Sequence, residues 1–253
     1  MELTRQLVTG TVSIDISKSW PADYYVNAFN VYPDDVKASL TRASHTLWTD
    51  EDEGVFYSWG GENPSGGTEG IKNELWKFTP DGLGSGSWSR EDPANPEHFA
   101  GLHPTMSSAY ANTNDTGFVI GGVATNRTEA GRTRSQAVPG VVTFNMKTKT
   151  WQNETDGFSP PGFGTLVGAS AHYIPSFGVD GQGLVMAFGG KEPEIVGVPN
   201  MFESAALDLQ NLTFFDPKTK KRHWQMATGD VPRSPRTATC IAGFQNPDGG
   251  YEM

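Results

Sequence analysis

Five histidines, one cysteine and a scatter of charged loop residues are the groups in this chain whose chemistry invites a catalytic or metal-binding reading. His45, His98, His103, His172 and His223 show no paired metal-ligand spacing, so each reads as a structural histidine. Cys240 is alone, which rules out an intrachain disulfide and any C-x-x-C site. A buried thiol on a strand is the expectation, because free cysteine packs as a small apolar residue. The acidic run Asp50-Glu51-Asp52-Glu53 lacks the alternating ligands and distant Glu of a calcium loop and reads as a solvated turn. No catalytic residue, metal or cofactor is expected from these groups.

The elements that must position them are strands. Three apolar runs end in glycine pairs, Gly60-Gly61, Gly121-Gly122 and Gly189-Gly190, and each is followed by a tryptophan: Trp88, Trp151 and Trp224. The period is roughly 60 to 70 residues, the mark of a repeat architecture. In the first unit, residues 43–49, 55–59, 74–78 and 87–90 read as four short strands separated by Gly, Pro, Asn and Asp turns, an antiparallel meander. The second unit follows the same plan over 107–111, 117–120, 141–144 and the strand of Trp151. The third follows it over 169–174, 184–188, 212–215 and the strand of Trp224. Phe78, Phe144 and Phe215 recur on the third strands. Glycine fits where another backbone or ring approaches closely, and the Phe and Trp supply apolar area between neighbouring sheets.

Strand, glycine pair, loop, Phe-bearing strand, turn and Trp in this order resemble kelch repeats, with Pro232-Arg233 and Pro235-Arg236 like the Pro-Arg approach to a kelch first strand. The resemblance implies an all-β, kelch-type β-propeller of four-stranded antiparallel blades around a central channel. The expected division is a half blade over 1–35, blades over 36–92, 93–156 and 157–228, and the start of another over 229–253, one incomplete propeller domain belonging to a larger ring. Residues 7–16 read as a third strand, and Trp20 as the tryptophan of the half blade. Residues 237–242 read as the first strand of the last unit, with 251–253 opening its second.

Strand alternation sends the second-to-third-strand loops and the fourth-to-first connectors to one face. Long loops on a rigid scaffold are where binding usually lies. Glu62, Lys72, Arg127, Arg132, Arg134, Lys191, Glu192 and Glu194 are the candidate binding residues there. The partner expected is an unidentified protein or glycan. With a net charge of −10 and no Lys/Arg run that stands out, the composition speaks against nucleic acid. No stretch is long and apolar enough to cross a bilayer, so no membrane contact by this segment is expected, although a full-length protein of this kind can carry an anchor. Sequons at Asn114, Asn126, Asn153 and Asn211 are glycosylation candidates. The long blades and the phrase SIDISKSW resemble fungal secreted or membrane-anchored kelch proteins, which implies an extracellular or cell-surface location, with the cytoplasm as alternative. A non-catalytic interaction module is the leading reading. The alternatives are a copper oxidoreductase similar to galactose oxidase, which implies Tyr and His ligands with a Tyr–Cys crosslink, and an architectural spacer.

Overall fold

The structure, a computed structural model, describes residues 10–17, 19, 29–33, 42–64, 70–154, 166–192, 205–232 and 234–253. Flanking strands β1 (Gly10–Ile14) and β2 (Phe29–Pro33) pair antiparallel. The partner of β1 thus begins at Phe29, while Trp20 lies outside the described residues. The first four-stranded sheet orders β3 (Thr46–Asp50), β4 (Val55–Trp59), β5 (Leu75–Pro80) and β6 (Gly86–Glu91) as a meander. A short helix α1 (Pro96–Ala100) follows, started by proline at its first turn, which the strand pattern did not foretell.

The second sheet comprises β7 (Ala109–Asn112) and β8 (Thr116–Ile120), then, after an inserted ribbon of β9 (Val123–Ala124) and β10 (Gln136–Ala137), β11 (Val141–Asn145) and β12 (Thr150–Glu154). The third repeats this with β13 (Ser170–Ile174), β14 (Leu184–Phe188), the ribbon β15 (Lys191–Glu192) and β16 (Ala205–Ala206), then β17 (Asn211–Asp216) and β18 (Lys221–Met226). A last hairpin, β19 (Phe244–Gln245) and β20 (Tyr251–Glu252), docks on the third sheet where Tyr251 and His172 hydrogen-bond at 2.5 Å. Residues 237–242, read from sequence as a strand, form none; the pairing starts at Phe244. Cys240 is exposed there, contrary to the expected buried thiol, because no ladder draws it into a sheet.

First strands β3, β7 and β13 lie side by side, so each sheet presents its first strand innermost. The glycine pairs join sheet to sheet. Gly61, Gly122 and Gly190 donate their amides to the carbonyls of Thr105, Leu166 and Arg236, each on the approach to the next unit, at 2.7–2.8 Å. The residue after each pair then bridges back to its own unit, Glu62 to Ala43, Val123 to Met106 and Lys191 to Val167. One residue on from those partners, Ser44, Ser107 and Gly168 take positive φ, as does Ala238 at the matching place of the last unit, from 53° to 67°. Gly168 donates to Ser107 O and Ala238 to Gly168 O, a backbone chain from unit to unit beside the innermost strands. This fourfold device is a regular part of the repeat.

Two cores fill the spaces between sheets. Between the first and second, Trp48, Tyr57, Trp59, Phe144 and Trp151 are at most 1% exposed and pack with Phe99. Trp151 alone meets Trp48, Trp59, Phe99 and Phe144 at ring separations of 4.7–5.9 Å. Between the second and third sheets the core is smaller-featured, with Ala109, Ala111, Ile120 and Val185 around Phe118 and Phe215.

The tryptophans are not equivalent. Trp88 and Trp151 stand opposite Phe78 and Phe144 in the ladders, whereas Trp224 stands opposite Thr213 and Arg222 takes the place opposite Phe215. Trp224 is 65% exposed, so its expected place in the repeated core is corrected: a two-residue offset along β18 sets it opposite Thr213 instead of Phe215. Asp50 also departs from the solvated turn expected for it. It is fully buried at the end of β3 and receives Lys147 Nζ at 2.7 Å and the Glu53 amide at 3.1 Å. Burial pushes its carboxyl up, but those hydrogen bonds and the charges of Lys147 and Lys149 outweigh it and hold the group below the usual carboxylate range.

Candidate functional site

Loops from neighbouring sheets meet on the face after the glycine pairs. Glu62 and Asn63 leave the first pair, and Arg127 leaves β9 in a tight turn fixed by Thr125 and Thr128, whose hydroxyls take or give three local hydrogen bonds. Arg127 Nε lies 3.1 Å from the Glu62 carboxylate, and its guanidinium donates twice to Asn63 O, at 3.1 and 2.8 Å. The Asn63 amide returns a bond to Arg127 O. Next to this pair, Arg132 Nε donates to Glu129 at 2.7 Å, and His103 Nδ1 lies 3.1 Å from Glu129 and 3.0 Å from an Arg132 nitrogen. Second-to-third loops of two sheets and the connector carrying His103 are therefore tied into one charged rim.

Of the residues proposed from sequence, Glu62, Arg127 and Arg132 come together here, each engaged by a neighbour. Arg134 is exposed beside them, and Lys72 is exposed while its carbonyl accepts from Arg42. Lys191 and Glu192 sit in ribbon β15 of the third sheet, and Glu194 lies outside the described residues. Glu129 and His103 complete the cluster but are not among the binding residues read from sequence, where His103 reads as a structural histidine; their signal was only membership of the same long segments. The candidate glycosylation residues Asn114 and Asn126 are exposed on turns, while Asn153 and Asn211 sit in β12 and β17.

Arg42 anchors the inner side of this face. Its side chain is 1% exposed, donates to the carbonyls of Gly60, Glu74 and Lys72 at 3.2–3.3 Å, and lies 3.9 Å from the Glu74 carboxylate. Burial lowers its pKa to about 10, opposed by the Glu74 charge. His45, three residues on, is held below its ordinary pKa by burial and then by the Arg42 charge, against a raising backbone hydrogen bond. A depressed histidine pKa means the folded state binds fewer protons than the unfolded one. Its contribution to stability is complete above about pH 6.5 and is lost as the pH falls through the folded value. His45→Ser, which copies Ser108 at the matching place of the second sheet, is expected to flatten the fall of melting temperature with acidification below about pH 6.5; an unchanged slope would assign that fall to other groups.

The copper alternative asks for a Tyr–Cys pair with histidines. Tyr110 and Cys240 line one small cleft of about 240 Å³ beside the innermost strands, where burial and then the Cys240 charge push the Tyr110 hydroxyl up. No histidine lines that cleft, and among the described residues no three His, Cys, Asp or Glu side chains converge. Among the described residues, the donor set at this cleft does not fit a copper centre.

Four-stranded antiparallel meanders with innermost first strands, joined edge to edge through their glycine pairs, are propeller-type blades in an all-β fold; the sheets are not closed into a ring. No protein-family model and no curated protein matches the chain. Among solved structures, YjhT is similar with a TM-score of 0.46 and 17% identity, over 76% of this chain and 54% of that one. The chain thus spans about half the length of that structure.

Proposed function

We propose that this chain is a non-catalytic kelch-repeat module that captures a protein or glycan partner on the rim built from Glu62, Arg127, Glu129, Arg132 and Arg134, at an extracellular or cell surface. The observation that carries the reading is the cross-sheet lock of Glu62 and Asn63 to Arg127. Charged loops tied to one another in this way hold their shape, so a partner meets a preorganised surface and loses less ordering entropy on binding. Arg134, exposed beside the lock, supplies a planar donor fork suited to carboxylates and to sugar hydroxyls.

Glycan-array and cross-linking screens with the purified protein should identify a ligand whose affinity falls at least about tenfold in the Arg132→Ala/Arg134→Ala double variant, the loss typical of an interface arginine. The single variant Arg134→Ala, which leaves the Glu129 and His103 contacts intact, should retain the parent melting temperature and lose part of that affinity. A ligand bound equally well by parent and double variant removes the rim from the account.

A further inference from the structure

A second site lies on the opposite face, where the first-to-second and third-to-fourth turns of the second and third sheets face each other across a cleft of about 530 Å³. The matching space between the first and second sheets is closed. There Trp48 and Trp151 fill it, Tyr57 meets Phe144 at 5.2 Å, and two lysines of the third-to-fourth turn reach across. Lys147 pairs with buried Asp50 and with Asp52, and Lys149 bonds the Tyr57 hydroxyl while lying over its ring.

Between the second and third sheets four of these plugs are changed, while the phenylalanine and the two turn lysines are kept as Phe215, Lys218 and Lys220. By ladder position Ala111 replaces Trp48, Arg222 replaces Trp151, Phe118 replaces Tyr57 and Thr113 replaces Asp50. With no carboxylate at position 113, Lys218 turns back to Asp180 of its own sheet, and Lys220 pairs with Glu154 and Gln152 on the outer strand. Phe118 and Phe215 stand 6.3 Å apart at the floor. The cleft is open because the sequence has removed what closes its counterpart.

Its walls indicate the ligand. The charged groups lining it are two carboxylates, Asp115 and Glu154, and two ammonium groups, Lys218 and Lys220, so an ion of either sign gains little there. What remains is hydroxyl and amide chemistry over an aromatic floor. The Thr143 hydroxyl, Asn145 Nδ2 and the Gln182 side-chain amide line the space and make no hydrogen bond within the described residues, while Asn145 Oδ1 is used in its own turn. The size lies within the roughly 300–1,000 Å³ of small-molecule sites. We infer that this cleft binds a neutral saccharide, its hydroxyls bonded by Thr143, Asn145 and Gln182 and its ring set against Tyr173 and the phenylalanine floor. This goes beyond the rim proposed above and uses none of its residues.

Isothermal titration of the whole chain with glucose, galactose, mannose, N-acetylglucosamine, maltose and lactose tests the inference. One or more should bind saturably. Thr143→Val should weaken that binding about tenfold, the worth of a hydrogen bond left unmade, and Gln182→Ala, at an exposed position safe for folding, should weaken it too. Thr113→Asp should abolish it by restoring the carboxylate that draws the lysine across, without loss of melting temperature. If no sugar of the panel binds at tens of millimolar, or if binding is indifferent to Thr143→Val and Thr113→Asp, the inference is wrong. Binding lost only in Arg132→Ala/Arg134→Ala would place the sugar on the rim, overturning this site and supporting the other.

Discussion

Alanine at Trp151 is expected to cost about 3–5 kcal/mol of stability, and alanine at Trp224 less than about 0.5 kcal/mol. The two residues look alike in the sequence, each a lone tryptophan after a turn. Trp151 is 1% exposed and its ring touches four other aromatic rings across the space between two sheets. Removing it leaves a cavity bounded by stiff rings that cannot collapse into it, which places the loss at the upper end for large-to-small changes. Its backbone is also tied to Asn95, whose amide donates to Trp151 O at 2.8 Å and whose oxygen accepts from Trp151 N at 2.9 Å, so the strand should stay in register while the core empties. Trp224, 65% exposed, has little burial to lose. Urea unfolding followed by far-ultraviolet circular dichroism separates the cases; similar losses at the two positions would contradict the ladder offset.

Gly121→Ala should be as damaging, by a different route. A Cβ at Gly121 would sit 2.3 Å from Leu166 O and 2.6 Å from Leu166 N, both rigid backbone atoms of the next unit. Its φ of 63° adds a strain of roughly 1–2 kcal/mol for any residue with a side chain. The two sheets must therefore separate, taking with them the Gly122 N–Leu166 O hydrogen bond at 2.7 Å. A total loss on the order of 4 kcal/mol is expected, near the exceptional end for single substitutions. Gly54→Ala is the control, because Gly54 has φ 65° but nothing within 4 Å of a new Cβ. It should show the strain alone. If the two variants unfold at the same urea concentration, the close approach at Gly121 is not a stability determinant.

How much of this was written in the sequence depends on the range of the contact. The strand and glycine-pair pattern is local, set by alternation and turn chemistry, and it located every strand of the three sheets to within a few residues. Trp224 misled because its offset is a matter of pairing: nothing in KKRHWQM says that Arg222 will stand opposite Phe215. Asp50 misled because its partner, Lys147, is 97 residues away. Within its own stretch it is one of four acids, and only the position at the strand end, next to the second sheet, buries it. The rim residues were legible as members of long loops, since loop length is a local property. The lock between Glu62 and Arg127 was not, because it joins two insertions whose separation is fixed by the sheets beneath them. The left-handed positions Ser44, Ser107, Gly168 and Ala238 had a faint signal, a small residue two places after Arg42, Thr105, Leu166 and Arg236, visible once the units are aligned. The open cleft has the same origin, a difference between repeats that alignment by ladder position brings out.

Amide hydrogen exchange measured by nuclear magnetic resonance probes at once the sheets joined through their glycine pairs and the rim locked across them. Gly61, Gly122 and Gly190 donate across sheet boundaries and Asn63 donates across the rim. Their amides should exchange as slowly as those in β4, β8 and β14, because each opens only when neighbouring sheets part. Exchange at the rate of the open turn glycines Gly54 and Gly82 would contradict both the joined sheets and the preorganised rim.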